Sequence, residues 1–247
     1  MYSGKRIAAV VPAYNEAPSI AKVVNELVRI ARQGQRVFDT IVVCDNASTD
    51  ATAQLAAEAG ATVVHEPQAG YGRACLSALA ALPAVDVVVF VDGDYSAHTD
   101  EIPSLLDAYL AGNDLIIGAR RADLREAGAL APLQILGNHV AALLLRCAWS
   151  QPVTDLGPLR AVGQRALAQL QMAHPTFGWT MEMQAKAMAM GMRVTEVPVH
   201  TRRRIGISKV SGTLRGTLGA TWGILSTFAR IAWQHRTSVT VLAKRSA

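Results

Sequence analysis

Val87-Val88-Val89-Phe90-Val91-Asp92-Gly93-Asp94 is the stretch on which the reading of this chain turns. Its five apolar, mostly β-branched residues describe a strand buried on both faces, as in a parallel sheet covered by helices. The strand then delivers two carboxylates separated by one glycine. Mutual repulsion makes that arrangement unfavourable without a cation. Hard oxygen ligands at this spacing suit Mg²⁺ or Mn²⁺, which keep waters and bridge to phosphate oxygens. A divalent ion on a nucleotide diphosphate is therefore the partner expected at Asp92 and Asp94.

Working outward, strands are expected near 6–12, 39–44, 61–65, 86–91 and 114–118, and helices at about 18–33, 50–59, 71–82 and 101–111. The order βαβαβαβαβ predicts an α/β fold whose central sheet is mostly parallel, with helices on both faces. Beyond Gly118 the pattern predicts a helix over 133–148, a short apolar segment near 159–163, a helix over 180–190, a strand over 193–199 and a final helix over about 213–234. Met181, Met183, Met188 and Met190 are expected as core filler, because methionine adapts to irregular gaps. No repeat or low-complexity linker divides the chain. Residues 1–212 are expected as one unit and 213–247 as a basic amphipathic C-terminal helix and tail.

Ligands of open α/β sheets bind at the carboxyl ends of the strands. Here the first strand runs into Pro12-Ala13-Tyr14-Asn15-Glu16, the second into Asp45-Asn46-Ala47-Ser48-Thr49-Asp50, and the fourth into Asp92-Gly93-Asp94-Tyr95-Ser96. Three loops thus bring carboxylates to one edge. Asp50 reads equally well as a helix N-cap.

The chain has 247 residues, 51% of them hydrophobic and 17% charged, which excludes disorder and leaves room for a sizeable core. The net charge of +5 is unevenly spread: residues 197–247 carry nine Lys and Arg and no acidic residue. That tail suits anionic lipid or phosphates better than nucleic acid, since Leu, Ile and Trp interleave its charges and no nucleic-acid module is present. Cys44, Cys75 and Cys147 are far apart, which excludes a disulfide framework and fits a reducing cytoplasm. Residues 127–145 are uncharged, but Pro132, Gln134, Gly137, Asn138 and His139 argue against a membrane span. In the tail Leu214, Leu218, Trp222, Leu225, Ala229 and Ala232 recur at helical spacing, flanked by Arg215, Arg230 and Arg236. This stripe is too short to cross a bilayer; it is expected to lie on an anionic membrane surface or to pack on its own domain or on a second copy in a homo-oligomer.

The segments VVPAYNE at 10–16, DNASTD at 45–50, GYGRA at 70–74, DGD at 92–94, GAR at 118–120, TDLGPLRA at 154–161 and GWTMEMQ at 178–184 resemble the family 2 glycosyltransferases, and more narrowly the polyprenyl-phosphate (dolichyl-phosphate) mannose and glucose synthase-like group. The resemblance implies a GT-A fold. It places Pro12, Tyr14 and Glu16 at the base and ribose of a nucleotide-sugar donor, Asp45 near the base, and the metal on Asp92 and Asp94. Ser96 stands where a further metal contact is common. Arg73, Arg120 and Arg160 fall at anion-contact positions. Arg202-Arg203-Arg204 with Ser208-Lys209 resembles a loop that closes over the donor pyrophosphate. Trp179 and Glu182 would border the sugar and acceptor. The departure lies at Leu156-Gly157-Pro158-Leu159-Arg160, where related synthases commonly carry Ser-Gly-Phe-Arg; it leaves sugar and acceptor open.

Such an enzyme would invert the sugar, with UDP-glucose or GDP-mannose as donor. A lipid-phosphate acceptor is already ionised and needs no strong base, whereas a hydroxyl acceptor needs one. Asp155 and Glu182 are the candidates for that base. The basic, apolar tail favours the lipid phosphate and a peripheral position at the inner face of the cytoplasmic membrane. Three rivals stand against this reading. A nucleotidyltransferase would show a Gly-rich basic loop after the first strand. A dinucleotide oxidoreductase would carry GxGxxG there, whereas Gly70-Tyr71-Gly72 follows the third strand. A nucleotide-sugar sensor without transfer activity would keep only the donor motifs.

Overall fold

The structure is a computed structural model; it describes residues 2–32, 34–206 and 214–245, and the side chains of the last helix over 219–235. One seven-stranded sheet organises it: β1 (Ile7–Ala13), β4 (Thr40–Asp45), β5 (Thr62–His65), β6 (Val87–Phe90), β7 (Leu115–Arg125), β8 (Arg160–Gly163) and β9 (Val194–Thr201), in the order β5-β4-β1-β6-β8-β7-β9. All pairings are parallel except those of β8, which runs antiparallel between β6 and β7. The helices are α1 (Ile20–Arg29), α2 (Thr52–Glu58), α3 (Tyr71–Ala80), α4 (Ile102–Leu110), α5 (Pro132–Trp149), α6 (Gln164–Leu170), α7 (Trp179–Ala189) and α8 (Leu214–Arg245).

The expected strand is fully buried, and its alternation sorts the core into two layers. Val87 and Val89 join Ile20, Val24, Leu27 and Leu105 of α1 and α4 on one face. Val88 and Phe90 join Ala74, Cys75 and Ala78 of α3, with Trp179 and Met183 of α7, on the other. A third cluster lies outside the sheet, where Ala141 and Leu145 of α5 meet Met181 and Met188 of α7 and Ile231 of α8.

The differences from expectation have local causes. Helix α1 stops at Arg29, and a short hairpin of β2 (Ala31–Arg32) and β3 (Gln35–Arg36) turns through Gly34 at φ +77°, a conformation that favours glycine. Strand β7 runs on to Arg125 because its polar half pairs with β9 at an exposed sheet edge, where apolar patterning is no guide. Helix α6 is a two-turn element that periodicity is too short to announce. Helix α8 continues past 234 to Arg245, through a β-branched run with low helix propensity. Met190 is 54% exposed, unlike the other three methionines expected in the core. No described helix is long and apolar enough to cross a membrane.

Candidate active site

The carboxyl ends of β1, β4 and β6 lie side by side, so their loops converge, and side chains knit them together. Asn15 donates its backbone N–H to Ser48 Oγ at 2.9 Å and accepts that of Thr49 on Oδ1 at 2.8 Å; Glu16 N–H donates to Thr52 Oγ1 at 2.8 Å. Asp50 accepts from the N–H groups of Ala17 and Thr52, so it ties two loops together as well as serving the start of α2. Asn46 donates to the carbonyls of Glu66 and Gln68 and accepts from Gly70 N–H at 2.7 Å, adding the loop before α3. Asn15, Ala47 and Tyr95 all have positive φ, at 51°, 59° and 67°. Such backbone strain collects at functional edges.

At the centre stand Asp92 and Asp94. Burial, and then the charge of Asp94, push the Asp92 carboxyl up to about 7. Asp92 accepts a hydrogen bond from Tyr71 Oη at 3.0 Å, and Asp94 accepts from Ser96 N–H and Oγ at 2.9 and 2.6 Å. Ser96 thus supports the second carboxylate. Arg204 reaches over from the strand end of β9, with one nitrogen 3.3 Å from Asp94 and 3.3 Å from Glu16. Among the described residues, four buried side-chain atoms lack a hydrogen-bond partner, and Asp45 Oδ1, Thr201 Oγ1 and Arg204 Nε of these lie at this edge. An unmet acceptor and an unmet donor here fit a ligand carrying both N–H groups and anionic oxygens. No cluster of three or more His, Cys, Asp or Glu forms a cage among the described residues. Two carboxylates with open positions fit Mg²⁺ or Mn²⁺ that takes its other oxygens from phosphate and water.

The first loop leaves Pro12 in the buried strand, Tyr14 at the surface and Glu16 buried. Asp45 Oδ2 pairs with His65 Nδ1 at 3.2 Å. Arg73 lies on α3 beside Glu66, whose carboxyl its charge helps hold down after hydrogen bonds from Ser77 and Gln68. Lys209 and Ser208 lie outside the described residues, as do the side chains of Leu214, Arg215, Leu218 and Arg236.

Four of the expected residues have buried partners of their own. Arg160 is fully buried beside Phe90 of the neighbouring strand, donating to Gly157 O and Thr180 O at 2.7 Å and to Gln184 Oε1 at 3.2 Å, contacts that join β8 to α7. Burial pushes its guanidinium down to about 10. Asp155 is clasped by Arg120, from Nε at 2.8 Å, Nη2 at 2.7 Å and the backbone N–H at 2.7 Å. Burial alone would raise its carboxyl, but the Arg120 charge and hydrogen bonds hold it below the usual range. Glu182 is buried, accepting from Ala173 and His174 N–H and paired with Lys186 at 2.9 Å and Arg230 at 3.7 Å. It pins the 173–175 segment. Trp179 is buried and packs edge-on to Phe90 in the core.

That 173–175 segment explains the GYGRA motif. A Cβ on Gly72 would sit 1.8 Å from His174 O, so the start of α3 approaches the segment as only glycine allows. The same motif supplies Tyr71 to Asp92, a role that spacing does not announce. Sequence reasoning also missed a clamp behind the site. Glu26 of α1 takes Arg202 on both carboxylate oxygens at 3.2 and 2.9 Å and accepts from Tyr95 Oη and Thr99 Oγ1 at 2.6 Å, while the Arg202 guanidinium lies 3.9 Å over the Tyr95 ring. Arg202 therefore anchors the loop and leaves Arg204 as the charge at the carboxylates. Arg203 N–H donates to Glu126.

From Asp92 and Asp94 a cavity of about 430 Å³ runs past Arg120, Pro158, His200 and Arg204 to Leu130 and Gln134 at the start of α5.

The comparisons with known proteins agree with this architecture. The family model of glycosyl transferase family 2 matches residues 8–168. An uncharacterized glycosyltransferase of Mycobacterium tuberculosis is 34% identical over 229 residues, covering 91% of this chain and all of that one. A dolichyl-phosphate hexose transferase of Haloferax volcanii is 29% identical over 85% of this chain and 88% of its own. Glucosyl-3-phosphoglycerate synthase from Mycobacterium tuberculosis, crystallised with Mn²⁺, UDP and phosphoglyceric acid, superposes with a TM-score of 0.74 at 22% identity, over 93% of this chain and 79% of that one. That likeness establishes the GT-A type of fold. With the family model covering most of the sheet and its carboxylate-bearing loops, the chain belongs to glycosyl transferase family 2 and is a glycosyltransferase.

Proposed function

We propose that the protein transfers a hexose, with inversion, from UDP-glucose or GDP-mannose to a polyprenyl phosphate, and that it works at the inner face of the cytoplasmic membrane. The observation that carries this is the pairing of two adjacent carboxylates, Asp92 and Asp94, with buried, partnerless polar atoms of Asp45 and Arg204 at one sheet edge. Asp45 would accept an N–H of the base, with Pro12, Tyr14 and Glu16 along the nucleoside. Mg²⁺ or Mn²⁺, held by Asp92 and Asp94, neutralises the leaving diphosphate when bound. Tyr71 and Ser96 keep the two carboxylates in place. Arg204, released from Glu16 and Asp94, would turn to the pyrophosphate, with Arg73 and Lys209 supplying further charge. Arg120, oriented by Asp155, would meet the acceptor phosphate in the cavity. Residues 1–212 form the transferring unit in this reading, and 213–247 hold it to its acceptor.

The sugar's anomeric carbon is attacked by an acceptor oxygen as the nucleoside diphosphate departs from the opposite face. A phosphate oxygen needs no deprotonation at neutral pH. The ion-paired states of Asp155 and Glu182 support this choice, since neither is free to take a proton. Relatives named for dolichyl-phosphate and undecaprenyl-phosphate transfer support it as well.

One observation favours a hydroxyl acceptor instead. His200 lines the cavity, and its Nδ1 pairs with Glu101 at 2.5 Å, a dyad that leaves the other ring nitrogen for proton transfer. The test is incubation of each donor with Mg²⁺, with and without polyprenyl phosphate, for wild type and His200→Asn. Lipid-dependent sugar transfer retained in the variant supports the proposal. Transfer only to soluble hydroxyl compounds, lost in the variant, overturns it.

A further inference from the structure

Helices α5 and α8 each bury one face against the cluster they share with α7 and leave the opposite face bare. On α5 the bare face carries Leu133, Leu136, Val140 and Leu143, at three- and four-residue steps, with the three leucines between 56% and 59% exposed. On α8, Ala220, Thr227 and Ile231 are buried, while Trp222 and Trp233 are 75% and 68% exposed, with Leu225 between them. Two of the four tryptophans of the chain thus point to solvent. Single exposed leucines are unremarkable, but seven large apolar side chains arranged in stripes on two adjacent helices are not.

We propose that these two faces form one membrane-docking surface, which lays α5 and α8 in the interface of an anionic bilayer. Three observations select a bilayer over a second protein copy. Neither helix contains an acidic residue, and α8 carries five basic ones, Arg215, Arg230, Arg236, Lys244 and Arg245, so self-association would press like charges together. Tryptophan at the exposed positions suits the headgroup boundary, where an amphipathic ring has an apolar body and a polar N–H to satisfy. The cavity leading from Asp92 and Asp94 is lined in part by Leu130 to Gln134, where α5 begins, so the docked face lies next to the cavity that a lipid headgroup would enter. The surface deepens the lipid-phosphate reading and draws on it for this last point alone; docking itself requires no turnover.

The experiment is co-sedimentation of the full chain with vesicles of phosphatidylcholine alone or mixed with phosphatidylglycerol, for wild type and for two double variants, Leu136→Glu with Leu143→Glu, and Trp222→Ser with Trp233→Ser. Circular dichroism and an unchanged thermal midpoint establish that each variant is folded. Wild type should pellet with the anionic vesicles with a blue-shifted tryptophan emission, and each double variant should bind at least tenfold more weakly. Wild type remaining in the supernatant overturns the proposal, as does equal binding by all three proteins. A wild-type dimer that either double variant dissociates, seen by light scattering without vesicles, also overturns it and assigns the face to a second copy. Transfer to a detergent-solubilised short-chain polyprenyl phosphate is measured alongside. Its absence with docking intact would refute the acceptor and leave the surface standing.

Discussion

Asp92 and Asp94 share an edge that offers them one arginine and one tyrosine in place of full neutralisation. Removing either charge relieves repulsion but takes away a metal ligand, so Asp92→Asn and Asp94→Asn should keep the fold and lower kcat by about a hundredfold or more, as loss of transition-state charge stabilisation does. Chelation should do the same to wild type, with recovery on adding Mg²⁺ or Mn²⁺. Asp155 has a different fate. It is a buried carboxylate held by Arg120, and removing one partner of such a pair costs about 3–5 kcal/mol because the other charge stays uncompensated. Asp155→Ala should therefore lower the urea midpoint, and Arg120→Leu combined with Asp155→Leu should recover much of that loss while abolishing activity. Its carboxyl sits below its ordinary 3.8 in the native state, so the unfolded chain takes up the proton first as pH falls. The stability from this pair is whole above about pH 4 and is lost below it. Urea titrations between pH 3 and 6 should show a steeper acid loss in wild type than in the double leucine variant.

Strand β6 was legible because five apolar residues and two acids admit few other readings, and the loops of β1 and β4 followed from the same logic. What stayed hidden depends on contacts between distant elements. Nothing near Glu26 says that it will hold Arg202, 176 positions away, or that the Tyr95 ring, next to Asp94, will lie under the Arg202 guanidinium. Asp155, Arg160 and Glu182 carry the residue types of a catalytic site, but their partners, Arg120, Gln184 and Lys186, lie too far along the chain or too deep in the packing for the sequence to announce them. The Arg202 clamp makes a prediction at this scale. Glu26→Ala frees Arg202 and loosens the register in which Arg202 N–H meets Ser96 O and Ile205 N–H meets Asp94 O. It should lower kcat/KM by about tenfold to a hundredfold, as small misplacements near the reacting atoms do, while leaving the thermal midpoint within a few degrees. Glu26→Asp should restore part of the activity, as a positioning role requires.

Over the whole molecule, a sheet edge lined with carboxylates and the start of α5 border one cavity. The amphipathic stripe of the tail was visible in the sequence, but the partner that covers its other face was not, since the apolar contacts of α8 come from α5 and α7 far upstream. The central claim is that Asp92 and Asp94 join a nucleoside diphosphate to the protein through a divalent ion. The measurement that tests it most directly is calorimetric binding of UDP and of GDP to wild type and Asp94→Asn, in Mn²⁺ and in EDTA. One of the two nucleotides should bind wild type at least tenfold more tightly with Mn²⁺ than without, and Asp94→Asn should abolish the difference. Equal affinity in EDTA and Mn²⁺ for wild type, or a Mn²⁺ effect undiminished in Asp94→Asn, would contradict the claim.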